Sequence, residues 1–177
     1  MPTLYTLVKN LFSLILPITV LIVVPRWIEK HWVIQSNFHL IGGGTLALIG
    51  LSIMVICISS FIRIGKGTLA PWSPPKHFVV TGLYRYVRNP MIVGVLTVLL
   101  GEAWLFNSLP ILQWAGTFFL LNTLHFILLE EPQLEERFGE EYRRYKKEVG
   151  RWVPRVRRYV SKGNEERIGE RSGGERS

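Results

Sequence analysis

Cysteine is almost absent from this chain of 177 residues: Cys57 stands alone, so no intrachain disulfide can form. Its place inside an apolar run marks it as a packing residue. The four histidines (His31, His39, His77, His125) show no close ligand spacing of the HExxH kind, so no metal site is expected. Residues 40–62 carry no charge at all, which points that stretch towards lipid rather than water. Residues 63–90 hold five basic residues and no acidic one. That excess of one sign, set among glycine, proline and aromatic residues, calls for an anionic partner.

The chain as a whole has a net charge of +8, a pI near 9.9 and a mean hydropathy of +0.23, with 48% apolar residues. Nucleic acid, anionic lipid and an anionic small molecule would each suit such a charge. Nucleic acid fits least, because the basic residues flank apolar spans and no nucleic-acid module is visible.

Hydropathy divides residues 1–160 into about four membrane helices forming one domain, with spans near 7–24, 40–62, 91–106 and 111–129. The first is read as a retained helix rather than a leader: Lys9 is its one early basic residue and no small-residue cleavage site follows. Arg26, Trp27, Lys30 and Trp32 suit an interfacial belt. The triplet Gly42-Gly43-Gly44 opens the second span without a preceding strand, which fits close helix packing rather than a nucleotide loop. Gly65-Lys66-Gly67-Thr68 also fails the phosphate-loop pattern, since Ser60 stands where its first glycine belongs. The third span is short for a full crossing, about 24 Å at the standard rise.

Pro71, Pro74 and Pro75 forbid a continuous helix between the second and third spans, and a connection this long is expected to bind something. The helical break before Pro132 is expected from the restriction that proline places on its predecessor. Beyond it, Leu134, Phe138, Tyr142, Tyr145 and Val149 recur at helical spacing, which predicts an amphipathic helix over residues 133–149. Residues 161–177, rich in Gly, Ser, Glu and Arg, read as a disordered tail. Basic residues in the 63–90 loop and the tail, against none in the 107–110 turn, place both termini in the cytoplasm as a multi-pass protein.

Two stretches combine residues that carry chemistry. Glu130-Glu131-Pro132 sets two carboxylates at a helix C-terminus, where the helix dipole disfavours them unless something cationic or hydrogen-bonding compensates. A diol, an ammonium, a sulfonium, or Arg85 and Arg88 would do so. The other stretch is Arg85-Tyr86-Val87-Arg88-Asn89-Pro90-Met91. Here Asn89 precedes Pro90 at a helix start whose free N–H groups suit an anionic group. Its two arginines offer forked donors for carboxylate, phosphate or the Glu doublet. Asn122 and His125 share a face of the fourth span and line either a packing contact or a cavity. Glu102 is expected to pair locally with the turn or with Gln113.

GLYRYVRNPM, the downstream EEP and the ending FGEEYRRYKKEVGRWVP resemble the isoprenylcysteine carboxyl methyltransferase and phospholipid methyltransferase superfamily of integral membrane enzymes. The resemblance covers about residues 65–155. It implies an all-α integral membrane fold with a cytosolic cofactor-binding loop, S-adenosylmethionine as cofactor, and methylation of a lipophilic acceptor at the cytosolic membrane face. That acceptor would be a prenylcysteine-like carboxylate, a phospholipid amine or a small thiol, with membrane lipid as the surrounding partner. It also implies cofactor contacts at Lys76, His77, Phe78, Val79, Tyr84, Asn89, Pro90, Met91, Ile92 and Glu130. Asn89 and Ile92 stand where the prenylcysteine branch has histidine and tyrosine. The NPM form resembles the phospholipid amine branch, and the FGEEY ending the prenylcysteine branch. A direct in-line displacement needs chiefly alignment. Glu131, His125 and Arg88 are the candidate catalytic side chains, the first two as proton acceptors for an amine nucleophile. A membrane reductase akin to sterol reductases and a non-catalytic lipid-binding protein are the competing readings.

Overall fold

The computed structural model describes residues 17–64 and 80–160, with the side chains of 61–64 left aside. The described residues are helical and irregular, without a strand. The expected first span falls partly outside them. Its visible end is α1 (Thr19–Ile28), π-wound over Thr19–Val23 before Pro25 enters at the head of an α-helical turn. An irregular connector then leads to α2 (Asn37–Ile64), the longest uninterrupted helix.

Small residues decide how α2 meets α3 (Pro90–Leu105). A Cβ placed on Gly43 would lie 2.6 Å from the Leu105 nitrogen, and one on Gly50 would lie 2.6 Å from the Gly94 carbonyl oxygen. From the other side, a Cβ on Gly101 would come within 2.7 Å of the Ala47 nitrogen. The two backbones therefore touch along an antiparallel seam that only glycine permits. Between apolar helices in lipid there is no hydrophobic drive, so such close van der Waals packing carries the association.

A sharp turn follows, with Asn107 at φ 48, a conformation asparagine tolerates better than most residues. α4 (Leu109–His125) then runs back, its first turn capped by Ser108, whose hydroxyl oxygen accepts from the Ile111 N–H at 3.2 Å. Leu99 and Ile111 are fully buried, and Val20, Met54, Val95, Val98, Ala115 and Phe118 join α1–α4 into one core. The Trp114 indole N–H donates to the Val20 carbonyl at 3.1 Å, tying α1 to α4.

The helix does not break before Pro132. Glu130 and Glu131 both keep right-handed helical angles, and α4 passes through a π turn (Phe126–Glu130) into α5 (Glu131–Glu148). In that turn the Glu131 N–H reaches back five residues to the Phe126 carbonyl. The widened turn accommodates the proline ring, and Pro132 sits in the first turn of α5, where a missing N–H costs nothing. The chain bends later, at Gly139 (φ 54, ψ −128).

Among the described residues two helices, α2 and the continuous α4–α5 run, are long and apolar enough to cross a membrane; α1 and α3 are apolar but shorter. Only 22% and 17% of the residues in their most apolar stretches are buried. Leu48, Val55, Leu120 and Leu128 accordingly point outward, as lipid-facing side chains do. A second, smaller cluster of Tyr142, Tyr145, Val149 and Tyr159, with Val80, Leu134 and Phe138 against it, packs α5 and the chain after it onto the segment before α3.

Candidate functional site

The segment leading into α3 is set by its own residues. Gly82 takes φ 55, opening a 3-10 turn over Gly82–Arg85. Asn89 lies outside the helical region (φ −123, ψ 61), in keeping with the bias against helix before a proline, and Pro90 starts α3. Among the described residues no side chain caps that start, so the Met91 and Ile92 N–H groups lack helical partners.

Four bonds from the C-terminal part of the chain clamp this turn. The Tyr145 hydroxyl donates to the Tyr84 carbonyl at 2.6 Å. The Tyr159 N–H donates to the Arg85 carbonyl at 3.0 Å and the Arg155 N–H to the Tyr86 carbonyl at 2.9 Å. In return the Arg88 N–H donates to the Gly150 carbonyl at 2.9 Å. The residues after α5 thus lie along residues 84–88 and fix their backbone.

Glu131 sits at the centre of this junction, with only 5% of its side chain exposed. Its Oε1 accepts from Arg88 Nη1 at 2.8 Å and from Arg151 Nε at 2.7 Å, and its Oε2 faces Lys146 Nζ at 3.2 Å. Burial pushes this carboxyl up, but the Arg151 hydrogen bond, the Arg88 charge and Lys146 outweigh it and hold it below the usual range. Lys146 also reaches Glu135 at 3.5 Å, so three cations meet two carboxylates here and the junction keeps a small positive excess. Arg88 Nε is itself buried without a hydrogen-bond partner.

The preceding glutamate behaves in the opposite way. Glu130 lies just past the apolar run, half-buried, with no hydrogen bond or ion pair to a described residue. Burial, then the Glu131 carboxylate, push it up to about 7. The Tyr84 hydroxyl is pushed up as well, chiefly by burial, and then by Cys57, Tyr145 and Glu130. Tyr84, Cys57 and Glu130 are therefore within electrostatic reach of one another, although they come from three separate stretches.

The structure brings Tyr84, Arg88, Asn89, Pro90, Met91, Ile92, Glu130 and Glu131 to one end of the bundle. Lys76, His77, Phe78 and Val79 lie outside the described residues. His125 is exposed, its ring edge-on to Phe126 at 5.9 Å. Asn122 spends its amide on the Phe118 carbonyl of its own helix at 2.8 Å. Glu102 does not make the expected pair with Gln113; its Oε2 is buried without a hydrogen-bond partner, because α3 turns it into the bundle instead. Sequence reasoning missed Lys146, Arg151 and Tyr159. The signal available was the pair of tyrosines in the α5 stripe, whose hydroxyls need partners if that face is buried.

A cavity of about 400 Å³ lies at the opposite end, lined by Glu29, His31, Gln35, Phe106, Asn107 and Ser108 among others. Its carboxylate is already satisfied: Glu29 accepts from the Ser108 hydroxyl and, at 2.7 Å, from the His31 N–H.

Comparison with known sequences adds a family. The profile of the phospholipid methyltransferase family matches residues 38–141. A methanethiol S-methyltransferase of Pseudomonas deceptionensis is 31% identical over 161 residues, covering 81% of this chain and 59% of that protein. The chain thus spans only about three-fifths of that relative's length. A second methanethiol S-methyltransferase, from Bradyrhizobium diazoefficiens, is 31% identical over 84 residues, 45% of this chain and 27% of that protein. An uncharacterized protein of Haemophilus influenzae is 44% identical over 66 residues, 36% of this chain and all of that protein. No solved structure matches.

Proposed function

The chain belongs to the phospholipid methyltransferase family, within the membrane methyltransferase superfamily, and from that premise we propose that it methylates a small lipophilic thiol with S-adenosylmethionine as donor. The observation that carries this reading is the meeting of Tyr84, the start of α3 and Glu130, the last two without a side-chain partner among the described residues, at one end of the bundle.

The residues present fit such a donor. A half-buried carboxylate without a partner among the described residues suits a ligand that brings hydroxyl groups, and a ribose diol does so. The free N–H groups of the first turn of α3 suit the carboxylate of its amino-acid part. The aromatic face of Tyr84, fixed through its own carbonyl, suits an adjacent ring or sulfonium. When bound, the donor supplies an electrophilic methyl carbon.

The chain's own residues would then do three things. Glu130, Tyr84 and residues 89–92 bind and orient. Glu131 holds Arg88 and Arg151 and so fixes the turn; three cationic neighbours favour this anchoring role over proton transfer. The net positive junction lowers the pKa of a nearby thiol, so the acceptor loses its proton to solvent and attacks as thiolate without a dedicated base. His125, on the exposed face of α4, is left for contact with lipid or acceptor.

In this reading α1–α4 are four membrane helices, α5 lies at the cytosolic interface, and both termini face the cytoplasm. Its test is to supply the purified chain with donor labelled in the methyl group, together with methanethiol, larger alkyl thiols, or total lipid extract. Label transferred to the thiols supports the proposal. Label found only in lipid amines or carboxylates reassigns the acceptor, and no donor binding in Glu130→Gln or parent alike removes the site.

A further inference from the structure

The stretch after α5 exposes what a soluble surface hides. Val156 is 98% exposed and Val153 76%, while Trp152 between them and α5 turns back to pack on Phe119 and Phe126, at 5.3 and 6.0 Å. Those two rings are seven residues apart, Phe119 on α4 and Phe126 at the head of the π turn, inside the apolar run that ends at Leu129. Trp152 therefore packs against the apolar run of that helix, and the two valines that follow it in the chain are exposed. The arginines around them divide into two sets. Arg151 turns inward onto Glu131, and Arg155 is engaged at the surface by Glu148 at 3.1 Å. Arg157 and Arg158 are exposed and form no ion pair with a described residue.

We propose that residues 151–158 form an arm that docks onto anionic phospholipid headgroups, with Val153 and Val156 at the acyl boundary and Arg157 and Arg158 on phosphates. A short segment that alternates exposed apolar and arginine side chains is suited to the interface plane, where the apolar part leaves water and the guanidinium forks meet phosphate. Each arginine near an anionic surface favours docking about fivefold. A second copy of the same arm is a poor occupant, since it would bring like charges together. The consequence reaches inward. The arm supplies the Arg155 and Tyr159 N–H groups that hold residues 85 and 86, so lipid on its outer side keeps the clamp on its inner side closed. This inference stands whether or not the thiol reading does.

The test uses the full chain with Val156→Cys carrying an environment-sensitive fluorophore, in both the Cys57→Ala and native Cys57 backgrounds, the latter because Cys57 is buried. In nanodiscs containing anionic phospholipid the label should shift to the blue and be quenched by acyl-brominated lipid. High salt, or the Arg157→Gln/Arg158→Gln pair, should reverse most of the shift, and amide exchange at Arg155 and Tyr159 should slow in anionic discs. A label that stays water-like in anionic discs overturns the proposal. So does an equal shift in purely zwitterionic discs, which would leave no role for the arginines. Shielding without bromine quenching would overturn it too, and would assign the arm to a protein contact.

Discussion

At the end of the bundle where α3 begins, Glu131 meets Arg88, Arg151 and Lys146, drawn from three different stretches of chain. At the end where α3 finishes, Glu29 is also largely covered but accepts from neutral donors, the Ser108 hydroxyl and the His31 N–H. Both carboxyls are held below their ordinary range, Glu29 first by the Ser108 hydrogen bond, Glu131 by cations overcoming burial. The difference is in what surrounds them. Around Glu29 the donors come from the connector and the turn it ties together, with Trp32 edge-on to Phe106 at 4.6 Å beside them. Around Glu131 there is surplus positive charge and, one residue away, an acid with no partner among the described residues. A finished contact holds two loops together; an unfinished one leaves room for a ligand.

The sharpest way to break this comparison is to neutralise both acids in turn. Glu131→Gln takes the carboxylate away from the largely buried Arg88 and from Arg151 and should cost about 3 kcal/mol in unfolding in detergent, with donor binding lost. Glu29→Gln, surrounded by neutral donors, should cost about 1 kcal/mol and leave donor binding intact. Equal losses in the two variants would erase the distinction. The next largest effect is expected between the ends. A side chain at Gly101 would press on the Ala47 backbone, which cannot yield, so Gly101→Val should cost about 2 kcal/mol and loosen both ends together. A thermal scan that shows no change would mean that the seam is not what aligns them.

Ser108→Ala sharpens the contrast on the quiet side. It removes the cap of α4 together with the donor to Glu29, and should lower stability by about 1 kcal/mol with donor affinity unchanged. A fall in affinity would show the two ends to be coupled.

The sequence carried the apolar runs, and with them the helices, because an uncharged stretch such as residues 40–62 has few other solutions. The small residues of α2 and α3 marked a close contact but not its partner: Gly43 packs tightly against the other helix, whereas Gly44 meets open space. The turn before α3 and the Glu doublet were legible as chemistry from their residue types. Their division of labour was not, because it depends on which of two adjacent side chains the π turn aims at Arg88. Pro132 misled for the same reason, since local rules assume regular winding and the chain widened one turn instead. Lys146 and Arg151 look like any solvated cations until the arm folds back.

The adjacent glutamates give the smallest and most discriminating effect, since their titrations pull in opposite directions. Glu131 is held below 4.5, so the stability it contributes is present above that pH and lost as pH falls through its folded value. Glu130 is raised from 4.5 to about 7, so the folded state grips its proton more tightly than the unfolded chain does. Between those two values rising pH therefore removes stability, and Glu130→Gln should flatten that slope while leaving the acid limb due to Glu131 in place. Donor binding should run the other way. A carboxylate that accepts hydrogen bonds from two hydroxyls does so best when ionised, so affinity should rise as pH passes through about 7. Calorimetric titration across that range, with Glu130→Gln beside the parent, reads both signs. Affinity that falls with pH, or a slope that survives the substitution, would move the ligand away from Glu130 and leave that end of the bundle as mere structure, like the other.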